Sequence, residues 1–468
     1  MVSTNRLRAT WDAVRTSLWL VPAIMVLAAF GLAWAMLAVD AGPGSEDEVR
    51  AWWVNAGSGD DARNLLSSLL TGVIAMASMA FSATVVVLTL AASQYGPRLI
   101  RVFRSDLTTQ ATLGTFAMTI VYLVLILRVV RADADFHDVP HAAVTLGTVL
   151  ALGCVLALLV FVQEVSKIAV ANEVVARVGR EFDEAIEHLP IPRDDAGSKV
   201  GEDEETGGDL WQSAVAVAQR QEGYVQSLDH EALLAWAERH DAALRIDFRA
   251  GDFVVAGDRR ILVWPPGAAK AAEHDAICEF AAVGTERTPI QDLEFAVRHL
   301  VEVAVRALSP GINDPATAIA VVDRLRGCLT RLAGRELPRR TLYGATGRLR
   351  LVRQTTTYAG ILDAAFHQIR QAAAKHPAVV IHLLEAIGRI AEHARTEEQY
   401  VALARHARMI AEAGLREAAE PSDRGDVEQA MDKAEGRLKR PAAVRQSRGA
   451  ARKAHSVPVQ QVPSSRAD

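Results

Sequence analysis

Residues 65–92, LLSSLLTGVIAMASMAFSATVVVLTLAA, run without one charged side chain. At ~1.5 Å per residue, a helix of this length outruns the ~30 Å hydrocarbon core of a bilayer, so it spans a membrane with tilt or projects past one face. Stepping ~100° per residue, Ser67, Thr71, Ser78, Ser82, Thr89 and Ser93 fall within an arc of roughly 80°, with Ala75 between them. One face is therefore small and hydroxylated, and the chain's function turns on whether that face meets water or another helix.

Three more apolar runs accompany it, near residues 18–39, 111–130 and 142–163, so the chain is expected to cross the membrane four times. The first run is too long for a signal-peptide core and lacks a small-x-small cleavage site, so it reads as a retained span. Half of the 468 residues are hydrophobic, an excess that the spans explain, and the net charge of −5 gives no reason to expect nucleic acid as a partner. Cys154, Cys278 and Cys328 show no CxxC or paired spacing and read as inert buried thiols.

Lysine and arginine in the short flanks set orientation, because they resist translocation. Arg6, Arg8, Arg15, then Arg98, Arg101, Arg104, then Lys167, Arg177 and Arg180 collect on one side, against only Arg50, Arg63, Arg128 and Arg131 on the other. Both termini are expected in the cytoplasm of a multi-pass inner-membrane protein. In the first outer loop, Trp52 and Trp53 suit the headgroup layer. No span carries an acid or base at mid-depth, which counts against an ion-coupled pump.

The fold class expected is a membrane α-helical domain of four spans followed by a cytoplasmic α+β domain, a small β module and then a helical bundle. The spans and a helix through Val178 and Phe182 fill residues 1–185, and a Pro-, Gly- and acid-rich linker occupies 186–210. Residues 211–288 read as the β module: GYVQSLD, the helix HEALLAWAERH, then ALRIDF, FVVAG and RRILVW, with a further strand through DAICEFAAV. Gly223, Gly251, Asp252 and Gly257 are placed as in half-barrels that carry biotin or lipoate, but no lysine stands at a hairpin tip, so no cofactor is expected.

Residues 289–439 read as helices. Thr288, Pro289 and Gln291 form a capping-box pattern before a helix that buries Leu293, Val297, Leu300, Val301, Ala304 and Leu308 and shows Glu294–Arg298 and Glu302–Arg306 to solvent. That helix stops at Ser309, Pro310 and Gly311; the next starts with Asp314 as N-cap and Pro315 at the first position, burying Ile319, Val322, Leu325 and Leu329. Later breaks fall at His376–Pro377, near Thr396 and at Pro421. His367, His376, His382, His393 and His406 lie here without HExxH or a partner cysteine, and are expected at the surface rather than on a metal. Residues 440–468 are polar and basic, and are expected to be disordered and to graze anionic lipid.

The run ALSPGINDPATA, with TPIQDLEFAVRHLVEVA before it and SQYGPRLIR after the second span, resembles an uncharacterised bacterial family of predicted inner-membrane proteins, domain of unknown function 2254. The resemblance extends from the first span to about Ala413. It implies four spans followed by a cytoplasmic domain, and it carries no catalytic residue over. From chemistry alone, Ser309, Pro310, Gly311, Asn313, Asp314 and Pro315 make a helix–turn–helix corner, or else a polar corner that holds a cation or partner.

No P-loop, GxSxG or Gly-rich dinucleotide turn is present, so no enzyme is expected. Two readings of function remain. In one, a homo-oligomer places Thr71, Ser78, Ser82, Thr89 and Ser93 around an axis as the lining of a passive conductance. Arg98, Arg101 and Arg104 then stand at its cytoplasmic mouth, and the cytoplasmic domain acts as gate. In the other, the spans only pack, and the cytoplasmic domain is a sensor or scaffold for a ligand or protein; on the stripe alone, packing is favoured over pore lining.

Overall fold

Long apolar runs have one way to satisfy every backbone N–H and C=O without water, which is to coil into helices. The computed structural model describes residues 19–41, 57–95, 107–134, 136–168, 171–191, 208–268, 274–289 and 291–439. The chain divides into two units, residues 1–174 and 175–468.

The first unit contains α1 (Leu20–Asp40), α2 (Gly59–Tyr95), α3 (Leu107–Val129) and α4 (His141–Ile168). All four are long and apolar enough to cross a membrane. α3 packs against the other three spans, and its residues Leu113, Phe116, Tyr122, Leu123 and Ile126 are buried at the centre. Close approach is achieved with small residues: a Cβ added at Gly114 would stand 2.5 Å from Met25 Sδ on α1, and one at Gly147 would stand 2.9 Å from Leu123 Cδ2. One rim is fastened by polar bonds. The Asp40 carboxylate, at the end of α1, accepts from the backbone N–H groups of Ala142 and Ala143 at 3.0 Å each, placing negative charge on the N-terminus of α4. The Tyr122 hydroxyl donates to the Ala143 carbonyl at 2.8 Å, and Arg63 donates to the Val130 carbonyl at 2.8 Å.

The second unit begins within α5 (Ala171–Glu187). Val175, Val178, Phe182 and Ile186 are its buried stripe. After α6 (Gly208–Gln212) come β1 (Val215–Val217), β2 (Gly223–Leu228), α7 (His230–Arg239), β3 (Ala243–Ile246), β4 (Phe253–Val254), β5 (Ile261–Trp264), α8 (His274–Glu279) and β6 (Ala281–Gly284). DAICEFAAV is thus helix first and strand second. Two long helices follow, α9 (Leu293–Ala307) and α10 (Pro315–Ala333), and then the chain returns to the sheet with β7 (Thr341–Tyr343) and β8 (Leu349–Arg353).

The strands make a five-stranded sheet in the order β1-β5-β3-β8-β7 and a three-stranded sheet in the order β4-β2-β6. β3 and β8 run parallel, with Leu244 opposite Leu351, whereas the other pairs are antiparallel. The β module therefore does not close at residue 288, and the sheet is completed from within the helical half. Trp236, Leu244, Phe248, Ile261, Val263 and Leu351 share its core.

Four more helices complete the unit: α11 (Tyr358–Ala373), α12 (Pro377–Ala391), α13 (Glu397–Glu417) and α14 (Pro421–Leu438). Pro377 and Pro421 occupy first positions, and Thr396 with Gln399 forms a full capping box on α13. The capping box expected at Thr288 does not form. Asp292 caps α9 instead, while Gln291 donates to the Leu228 carbonyl and accepts from its N–H, binding the edge of β2. A side chain long enough to pair with a strand edge satisfies two buried groups there, against one at the helix start.

Candidate functional site

On α2 the side that packs within the chain carries Ala62, Leu66, Val73, Ala77 and Ala80, all at most 4 % exposed. These recur at spacings of three and four and define one arc of the helix. Ser67, Thr71, Ser78, Ser82 and Thr89 centre roughly 150° from that arc and are exposed. Among the described residues, the hydroxyl stripe thus lies on the exposed side of α2. Thr71, Ser78 and Thr89 each donate to the carbonyl four residues back, at 2.8, 2.9 and 2.8 Å. Such back-bonding satisfies the proton and leaves hydroxyl lone pairs outward. Ser93 continues the helix. Arg98, Arg101 and Arg104 lie outside the described residues, as do Trp52, Trp53, most of the 186–210 linker and residues 440–468.

The SPGINDP corner is built from its own caps. The Ser309 hydroxyl donates to the Arg306 carbonyl at 2.6 Å, and the Asn313 N–H donates to the Ser309 carbonyl at 2.9 Å. Asn313 has φ +50°, the left-handed region that Asn tolerates better than most residues. Asp314 accepts from the Thr317 N–H at 3.1 Å and from its hydroxyl at 2.5 Å, and these bonds hold its carboxyl below the usual carboxylate range. Pro310 and Gly311 are exposed, and Pro315 opens α10. Ser309 and Asp314 each make hydrogen bonds at a helix end.

Three clusters are assembled only by the tertiary fold. Glu294, read as solvated, is 3 % exposed and accepts from Arg298 at 2.8 Å and from Arg249 of the β3–β4 turn at 2.5 Å. Nearby, Asp292 pairs with Arg287 at 2.5 Å; burial pushes the Asp292 carboxyl up despite that arginine. Gly251, at φ +91°, passes so close that a Cβ would stand 2.2 Å from Asp292 Oδ2. On α5, Asp183 accepts from Arg324 at 2.5 Å, from Arg331 and from the Cys328 thiol at 3.2 Å, tying α5 to α10. Burial raises the Asp183 carboxyl, but these donors outweigh it and hold it low, while burial and the Asp183 charge push the Cys328 thiol up to about 12.

The third cluster joins α11 and α13. Asp363 and His367 stand at i, i+4 on α11, and His406 reaches the same carboxylate from α13. His406, expected at the surface, is fully buried; burial pushes its imidazole down to about 4, against the opposing pull of Asp363. The i, i+4 spacing of Asp363 and His367 was the available signal. Its third member, His406, lies 39 positions further along and only helix packing brings it near. Between α10 and α12 an open groove is lined by Arg326, Arg331 and Arg389, each already paired with Asp323, Asp183 and Glu392 respectively.

Comparison with known proteins places these features in a family. The chain is 30 % identical over 444 residues to an uncharacterized protein of Mycobacterium bovis and equally to one of Mycobacterium tuberculosis, covering 93 % of this chain and 84 % of each relative. No solved structure matches it. The family model for predicted membrane proteins of domain of unknown function 2254 matches residues 15–389, spanning the four apolar helices, both sheets and the SPGINDP corner, and the chain belongs to that family.

Proposed function

We propose that this membrane protein acts as a homo-oligomer in the inner membrane, both termini cytoplasmic, in which the hydroxyl faces of α2 surround a shared axis as a passive conductance. The observation that supports this reading is the direction of the stripe. Ser67, Thr71, Ser78, Ser82 and Thr89 turn away from every span of their own chain. Outward hydroxyls gain nothing from hydrocarbon, whereas lone pairs left free by back-bonding hydrate permeating ions or bond a second copy. The stripe is neutral, which suits a leak rather than a coupled pump. Control falls to the C-terminal unit, whose α5 follows the fourth span in sequence and is clamped to α10 by Asp183.

A second reading, a membrane-anchored sensor whose spans only pack, draws on the same Asp183 clamp and on the size of the C-terminal unit, residues 175–468. Cysteine accessibility separates the two. The native Cys154, Cys278 and Cys328 are buried, which gives a quiet background. With Ser78→Cys and Ser82→Cys, membrane-impermeant thiol reagents react and block current in planar bilayers, while Ala77→Cys stays protected. A silent bilayer under voltage and tension, with folded oligomers present and all three cysteines equally protected, overturns the conductance and favours the sensor.

A further inference from the structure

We propose that Asp363, His367 and His406 bind one divalent transition-metal ion of the zinc class, leaving a coordination position open for water or an exogenous ligand. Asp363 and His367 rise from one face of α11 because residues four apart on a helix are neighbours. His406 meets them from α13, and the three donor atoms all lie within 4.8 Å of one another. His406 Nε2 is 2.9 Å and His367 Nε2 3.1 Å from Asp363 Oδ1. An ion with bonds of about 2.0–2.1 Å in tetrahedral geometry sets its ligand atoms about 3.3 Å apart. The two carboxylate–imidazole separations fall a few tenths of an ångström short of that, a gap within reach of side-chain adjustment.

The donor chemistry selects the ion. Two imidazoles with one carboxylate suit zinc and its first-row neighbours, whereas calcium and magnesium require mostly oxygen. Three protein ligands are one short of a closed structural site, which is the pattern of sites that keep a position for water. Burial also divides the labour. His406 is fully buried, while Asp363 at 36 % and His367 at 37 % leave an entry path from solvent. Arg405 pairs with Asp363 Oδ1 as well, so an ion taking that oxygen moves the guanidinium toward Oδ2, and the added cation keeps affinity below that of an unopposed site.

The test uses the full chain in detergent, stripped with chelator and with any affinity tag removed, titrated with zinc and cobalt(II). One equivalent per chain is expected, with visible cobalt bands of low coordination number. Asp363→Asn and His367→Ala each lower affinity at least tenfold, while His382→Ala, at a histidine 3.0 Å from Asp323 elsewhere in the unit, leaves it unchanged. Circular dichroism on each variant keeps loss of fold apart from loss of ligand, and Asp363→Asn retains the side-chain volume in case His406 variants do not fold. Absence of saturable binding overturns the proposal. So does binding that is indifferent to both Asp363→Asn and His367→Ala, or equally weakened by His382→Ala.

Discussion

In the four-span unit Leu27, Trp34, Leu156 and Leu159 stand between 63 and 76 % exposed, whereas in the second unit Leu325, Leu329, Ile361 and Leu383 are fully buried. The contrast follows from the solvent each unit is built for. Water drives large apolar side chains inward, but lipid tails are as apolar as leucine, so spans gain by close contact between small residues and leave large ones outside. Ala29, Ala33, Ala62, Ala77 and Ala80 are buried in the first unit, where they let the spans approach beside the larger Phe116, Tyr122, Leu123 and Ile126. Polar groups differ as well. The second unit buries Glu294 and Asp292 with arginines around them, while the first turns its hydroxyl stripe outward, where its large apolar neighbours meet lipid. The stripe is the feature that does not fit a lipid-facing surface, and for that reason it carries the functional proposal.

Substitutions test this contrast from the strongest effect downward. Glu294→Ala leaves Arg249 and Arg298 without their shared buried carboxylate, and a loss of about 3–5 kcal/mol in chemical denaturation of the second unit is expected. Leu325→Ala opens a cavity in a fully buried position and costs about 3 kcal/mol. Leu156→Ala, its counterpart in the spans, changes the unfolding midpoint by less than about 0.5 kcal/mol. An equal cost at Leu156 breaks the comparison and shows that its face is covered by protein. Gly251→Ala forces a left-handed backbone on alanine and drives its Cβ against Asp292; about 1–3 kcal/mol is expected, read in the same denaturation experiment.

Acid titration sharpens the same point. Burial, helped by the charge of Arg353 and opposed by Asp229, pushes His230 down to about 4. Between that value and the ordinary ~6.5 the unfolded chain binds the proton and the folded one does not, so stability rises with pH through this window. Denaturation midpoints of the second unit are expected to fall as pH drops from about 6.5 toward about 4, with a shallower slope in His230→Gln. The smallest thermodynamic effect belongs to the stripe. Ser78→Leu shifts the unfolding midpoint by less than about 0.5 kcal/mol yet abolishes bilayer current. Unchanged current with Leu at 78 removes Ser78 from the conducting path.

Much of this was legible in residue order because it is local. Uncharged length marked the four spans, Asp314–Pro315 announced the start of α10, and prolines at 377 and 421 placed two helix starts. Periodicity picked out Leu293, Val297, Leu300 and Val301 as a buried face. The misreadings share one physical cause. Whether Gln291 caps a helix or holds a strand edge, whether Glu294 sees water, and whether His406 lies at the surface depend on what packs opposite, and that is not encoded within a few residues.

What the sequence by itself determined is the inventory of elements and the existence of a hydroxylated face, since both arise from spacing along a single helix. Only the tertiary structure decided which way that face points, because the arc of Ala62, Leu66, Val73 and Ala77 claims the opposite side of α2 for the chain's own core. It also decided that β8 completes the sheet beside β3, about 100 residues away in sequence. And it brought His406 to Asp363 and His367, since a site assembled from two helices exists only once their buried faces have met.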